Sequence, residues 1–219
     1  MSSDARAASP HRLPHWEVPQ GLLVAVAAPS GAGKTTLCVR MSEIFPALTY
    51  AVSYTTRPPR PGEVDGRNYH FVDAGRFRAM VSEGAFVEWA EVHGHFYGTP
   101  KAGVNDLLAQ GHDVLLDLDV QGVETIKALG VPGVFCLILP PSFEDLRRRL
   151  EERGKDSATD IDRRMTIAVK EVARFALFDY VIVNDVFEEA AQALEGIIRA
   201  EHARRTRIRQ DWFREHFVP

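Results

Sequence analysis

Lys34 and Thr35 close the run Ala28-Pro29-Ser30-Gly31-Ala32-Gly33-Lys34-Thr35, and their spacing from two glycines suits one kind of chemistry. Gly31 and Gly33 let the backbone curl so that successive N–H groups converge on an anion. Lys34 adds a positive charge that can reach the outer phosphates of a nucleoside triphosphate, and the Thr35 hydroxyl can ligate Mg²⁺. This is the Walker A pattern with Ala28 in place of its first glycine. The change adds one Cβ at the loop entrance and leaves the inner glycines alone. Thr36 carries the motif into the next element. The run from Leu22 to Ala28 is continuously apolar, which suits a strand buried on both faces. A helical pattern follows from Lys34 to Phe45, so a bound phosphate also meets the positive end of a helix.

Other segments add charge in the same style. Ser53 to Glu63 reads SYTTRPPRPGE, in which Arg57 and Arg60 stand three apart between prolines. Two stiffened guanidiniums make a cationic clamp, and each offers a planar fork to phosphate. Val114 to Asp119 is an apolar strand ending in carboxylates, where Asp117 can organise a Mg²⁺ shell directly or through water. Ser142 opens a helix with an S-x-x-D cap after Pro140-Pro141, and Phe143, Leu146 and Leu150 form its apolar side. Arg149 and Arg153 are four apart and share one face. Arg164 follows a polar connection, and Arg147, Arg148 and Arg163 read as solvated neighbours. Asn184 follows the apolar strand YVIV.

The elements that must hold these residues alternate in type. Strands are predicted at Thr49 to Ser53, Val114 to Leu118, Val134 to Leu139 and Tyr180 to Val183, with helical patterns between them, including Lys101 to Gln110. Residues 67–100 mix short aromatic-rich strands with one helix near Ala74 to Glu83. Alternation of this kind predicts an α/β fold with a parallel sheet and right-handed crossovers. The Walker A loop, Asp117, Asp119, Pro140 and Asn184 then all fall at the carboxyl ends of strands, the edge at which open α/β sheets bind ligands.

Composition narrows the function further. A 45% hydrophobic and 26% charged chain of 219 residues is a soluble globular protein with a full core. Its apolar runs are too short to span a bilayer. The start Met1-Ser2-Ser3-Asp4 lacks the apolar stretch of a secretory signal, and two cysteines, Cys38 and Cys136, suit a reduced cytoplasmic protein. A net charge of −4 argues against a general nucleic-acid or membrane binder. Residues 1–20 read as a disordered leader. Residues 200–219 form an Arg-rich extension, a solvated helix whose Trp212 and Phe213 are expected to pack on the core or on a second subunit.

With APSGAGKTT, SYTTRPPRPGEVDGRNYHF, FVEWAEVHGHFYGTP, VLLDLDVQG, PPSFEDLRRRLEERG and VIVND in this order, the chain resembles the guanylate kinases from about Gly21 to Arg199. The resemblance implies a P-loop NTPase fold: a core at 21–52, 100–141 and 171–199, a GMP-binding lobe at 53–99 and a helical lid at 142–170. It implies transfer of the γ-phosphoryl group of MgATP to GMP, and to dGMP, in purine nucleotide metabolism. Glu88 matches the guanine-reading carboxylate. Ser53 and Thr99 match hydroxyls near base and phosphate, and Asp119 a second acidic contact. Arg57, Arg60, Tyr69 and Tyr97 match the grip on the GMP phosphate. Arg149, Arg153 and Arg164 match lid arginines that neutralise the transferring group, and Asn184 stands near the adenine. The family implies ATP and GMP as partners, no membrane or nucleic acid, and a monomer or homodimer. A phosphoribose-type kinase and a binding module without catalysis are the competing readings. The full set of nucleotide-reading residues argues against the first, and the retained Lys34, Thr35 and lid arginines against the second.

Overall fold

A computed structural model describes residues 20–92, 94–154 and 157–218. The disordered leader expected over residues 1–20 therefore lies almost wholly outside the described residues. The chain begins with β1 (Leu23–Ala27), α1 (Lys34–Ile44), β2 (Leu48–Tyr50), β3 (Tyr54–Thr55), β4 (His70–Phe71) and α2 (Ala74–Ser82). It continues through β5 (Phe86–Val92), β6 (His95–Pro100), α3 (Lys101–Ala109), β7 (Asp113–Leu118), α4 (Val120–Ala128) and β8 (Val134–Leu139). It ends with α5 (Phe143–Glu152), α6 (Ala158–Val172), β9 (Tyr180–Val183), α7 (Phe187–His202) and α8 (Gln210–Phe217).

The central sheet has the order β2-β7-β1-β8-β9, and all its pairings are parallel. Alternation along β1 explains the layering. Val24 and Val26 join Leu37, Met41 and Leu194 from α1 and α7 on one face. Leu23, Ala25 and Ala27 join Leu108, Val123 and Ile126 from α3 and α4 on the other. Both faces are dry, so the strand is apolar throughout. Each fully buried leucine contributes roughly 1.5–3 kcal/mol.

A second sheet, β4-β3-β6-β5, stands beside the first. Phe77 of α2 stacks on Phe86 and Phe96, with ring centroids 4.7 and 5.4 Å apart, and gives this lobe its own aromatic core. Leu146 and Leu150 of α5 pack on Ile161 and Ala168 of α6 in a third cluster. The Ser142 cap forms as expected, accepting the Asp145 N–H at 3.0 Å.

Two local expectations are corrected. The strand expected at Thr49 to Ser53 is Leu48–Tyr50, because β2 pairs with only three residues of β7. The chain then leaves for the second sheet, where the Ser53 carbonyl accepts the His70 N–H. In α3, Ala102 and Gly103 have non-helical backbone, so regular helix starts after Gly103. Trp212 and Phe213 of α8 pack on His216 and Phe217 of the same short helix, and Phe213 is 46% exposed.

Candidate active site

The glycine-rich loop joins β1 to α1. Gly31 and Gly33 have φ values of +103° and +91°, a left-handed conformation open to glycine and strained for other residues. A Cβ on Gly33 would also lie 2.4 Å from Asn184 Nδ2. No side chain caps α1, so the N–H groups of its first turn face outward for an anion. Asn184 is buried beneath the loop and donates from Nδ2 to the Ala32 carbonyl at 2.8 Å. Arg164 of α6 donates to Ser30 Oγ at 2.7 Å, and Arg149 of α5 to the Asn184 carbonyl at 2.9 Å. Two of the three expected lid arginines thus reach the loop or its brace. Arg153, at the C-cap of α5, is exposed, and its charge is felt by Arg60 across the cleft. Ala28 is buried in the core, where its Cβ is accommodated, and Thr36 is exposed on the first turn of α1.

Lys34 and Asp117 form the centre. Lys34 Nζ lies 2.5 Å from Asp117 Oδ1 and also donates to the Leu118 carbonyl. Burial alone would lower the lysine pKa, but the charge and hydrogen bond of Asp117 outweigh it and hold it above its ordinary value. Thr35 Oγ1 and the Tyr50 hydroxyl both donate to Asp117 Oδ2, each at 3.2 Å.

Just after β3, Arg57 Nη2 donates to Glu63 Oε1 at 2.9 Å. The Arg57 guanidinium also lies over the Tyr69 and Phe71 rings, at 5.5 and 5.9 Å from their centroids. Tyr69 meets Tyr97 edge-on at 5.8 Å. Burial, with the nearby Asp117 charge, pushes the Tyr69 phenol up to about 12, so it stays a neutral donor.

Further along the cleft, Glu88 is 6% exposed and accepts from Thr99 Oγ1 at 2.6 Å. Ser53 is buried in the same lobe. Burial raises the Glu88 carboxyl to about 7, opposed by the Thr99 hydrogen bond and reinforced by the Asp119 charge. Asp119 caps α4 by accepting the Gly122 N–H at 2.7 Å. Its Oδ2 is buried without a hydrogen-bond partner among the described residues. A Cβ on Gly122 would lie 2.8 Å from Glu88 Oε2, so the absence of a side chain here leaves room for the carboxylate.

Four residues near this site went unassigned in the sequence: Tyr50, Glu63, Gly122 and Glu171. Pro61-Gly62 marks a turn that could have flagged Glu63. Glu171 stands seven residues after Arg164, two turns along one helix face. Burial raises its carboxyl to about 7, with the Asp119 charge adding to the effect. Tyr50 carried no such signal. A cavity of about 640 Å³ lies at the opposite, N-terminal edge of the sheet, lined by residues such as Leu23, Gly133 and Arg207. It contains none of the groups above, and the chemistry follows those groups rather than the volume.

A parallel sheet bearing this loop, a lysine–aspartate centre at its carboxyl edge and arginines converging from two lobes define an α/β protein of the P-loop NTPase type. The guanylate kinase family model matches residues 20–201. The chain is 47% identical to guanylate kinase from Geobacter metallireducens over 189 residues, covering 86% of this chain and 93% of that one. It is 51% identical to guanylate kinase from Dechloromonas aromatica over 180 residues, covering 82% and 89%. The crystal structure of guanylate kinase from Anaplasma phagocytophilum superposes with a TM-score of 0.75 at 31% identity, covering 93% of this chain and 99% of that one. The chain belongs to the guanylate kinase family.

Proposed function

We propose the following division of labour for the guanylate kinase reaction, in which the γ-phosphoryl group of ATP passes to GMP to give GDP and ADP. Residues 28–36 cradle the ATP phosphates, with Lys34 on the outer ones and Asn184 bracing the loop beneath. Arg57, Arg60, Tyr69 and Tyr97 hold the GMP phosphate, Glu88 reads guanine, Ser53 and Thr99 lie near base and phosphate, and Asp119 makes a second acidic contact to the nucleotide. Guanine offers N1–H and its amino group as adjacent donors, which one carboxylate can accept together. Residues 53–99 act as the GMP lobe and 142–170 as the lid that brings Arg149, Arg153 and Arg164 onto the transferring group. The acceptor is already an anion, so no protein nucleophile is needed. The protein aligns the two nucleotides, neutralises charge and excludes water. The observation that carries this reading is the buried Glu88–Thr99 pair in the lobe that also carries the Arg57–Glu63 pair, with Tyr69 within electrostatic reach of both Arg57 and Lys34.

The oxygen donors present suit Mg²⁺. Thr35 Oγ1 and Asp117 Oδ2 lie 3.2 Å apart and would hold an ion that takes its remaining ligands from phosphates and water. When bound, Mg²⁺ would neutralise charge shared by the β- and γ-phosphates. Cys38 and Cys136 are buried and unpaired, in keeping with a reducing cytoplasm, and no described helix is long and apolar enough to cross a membrane.

A coupled ADP-release assay with MgATP and GMP, dGMP, AMP, CMP, UMP and dTMP tests the assignment. Turnover is expected with GMP and dGMP alone. Equal turnover with AMP would remove the guanine pocket from the reading.

Glu88 also makes the site pH-sensitive. Its carboxyl ionises at about 7 in the folded protein, against an ordinary value of 4.5. Between those values the folded state holds a proton that the unfolded chain has lost, so Glu88 costs stability as pH rises through that window. GMP needs the ionised form. GMP binding at about pH 6 is therefore expected to release a proton, and affinity to fall as pH drops below about 7. The GMP phosphate itself titrates at about pH 6, so calorimetry with guanosine in two buffers of different ionisation enthalpy isolates the Glu88 proton. Its absence from guanosine binding at about pH 6 would contradict the assignment.

A further inference from the structure

We propose that Glu63 is a positioning residue for GMP: it presets the two-arginine phosphate clamp before the nucleotide arrives. This rests on the assignment of Arg57 and Arg60 to the GMP phosphate. The geometry is a closed turn. The Glu63 N–H donates to the Arg60 carbonyl at 3.0 Å, with Pro61 and Gly62 between them. Pro61 pre-sets its own φ, and Gly62 takes the left-handed conformation, φ +86°, that such a turn needs at its third position. The turn folds the Glu63 side chain back over its own start. There its Oε2 accepts the Arg60 N–H at 2.7 Å, and its Oε1 accepts from Arg57 Nη2 at 2.9 Å.

One carboxylate therefore ties the side chain of the first arginine to the backbone of the second. Arg57 is held on its other sides as well. Its Nη1 donates to the Pro58 carbonyl at 2.7 Å, and its face lies against Tyr69 and Phe71. Tyr97 also hydrogen-bonds the guanidinium, and Glu63 adds the charged partner that fixes Nη2. Electrostatics call for such a tie. Burial disfavours the Arg60 charge, the charges of Arg57 and Arg153 add to that, and the repulsion is eased by a nearby counter-charge. Glu63 supplies it from a partly shielded place, with Arg57 and Glu63 side chains 10% and 18% exposed. Burial would raise the Glu63 carboxyl, but the Arg57 hydrogen bond, the Arg60 N–H and both arginine charges hold it below its ordinary value. The tie thus persists across the neutral range.

The test is a comparison of E63Q and E63A with the wild-type enzyme. Gln keeps an acceptor for the Arg60 N–H and loses the ion pair; Ala loses both. The KM for GMP is expected to rise about 10-fold in E63Q and on the order of 100-fold in E63A, with the KM for ATP unchanged. Guanosine, which lacks the phosphate, is expected to inhibit both variants as well as it inhibits the wild type. A role limited to holding the lobe together predicts instead a lower melting temperature and equal weakening of guanosine and GMP, and that result would overturn the proposal. So would a KM for GMP within twofold of wild type in both variants. A wild-type enzyme that does not use GMP would overturn the proposal together with the reading beneath it.

Discussion

Lys34→Ala is expected to lower turnover by about 10³-fold or more, equivalent to roughly 4 kcal/mol of lost transition-state stabilisation. The lysine is the one strong cation of the loop, and in the proposed complex it would meet the outer phosphates, where the transferring group carries its charge on its equatorial oxygens. The same substitution strips Asp117 of its partner 2.5 Å away, in a place where the Asp117 side chain is only 7% exposed. Breaking a buried pair from one side costs about 3–5 kcal/mol, so the single variant is expected to melt earlier as well. Thr35 and Tyr50 still donate to Asp117 and reduce that cost. Lys34→Ala combined with Asp117→Asn separates the two effects: the double variant regains melting temperature and stays inactive. Steady-state kinetics and thermal unfolding of both proteins check this. Wild-type turnover in the folded single variant would end the assignment of the loop.

Glu88→Gln is expected to lower kcat/KM for GMP by about 10³- to 10⁴-fold and to narrow the preference for GMP over AMP. The amide presents a donor where guanine also presents donors, so two N–H groups face each other without an acceptor. In the proposed reading, adenine would leave the buried carboxylate against a ring acceptor, so AMP is expected to be a poor substrate of the wild type. Thr99 Oγ1, which now donates to Glu88 Oε1 at 2.6 Å, can still find the amide oxygen, so the variant should fold. The nucleotide panel measures the change. Unaltered selectivity would show that Glu88 does not read the base.

Much of this molecule is legible one segment at a time. The phosphate loop, the Ser142 cap and the apolar strands are local devices whose residue types and spacing follow from backbone geometry. Gly31 and Gly33 had to be glycine for the φ values they adopt, and β1 had to be apolar because helices cover both its faces. Local reading failed where a partner comes from elsewhere. Nothing in the apolar pattern near Thr49 announces that three residues pair with β7 before the chain leaves for another sheet. Tyr50 carries no mark of its bond to Asp117, 67 positions away.

The sequence by itself determined which chemistry the chain carries, because a phosphate loop, an arginine clamp and a strand-end carboxylate are each written in short, ordered runs. Only the tertiary structure decided how those groups are poised. Asn184 braces Ala32 from 152 residues away, Arg164 reaches Ser30 from 134, and Glu88 acquires its raised pKa from burial and Asp119. The physical reason is that charge, hydrogen-bond partnership and solvent exposure depend on distance in space. Chain order sets that distance only within a turn or two of backbone.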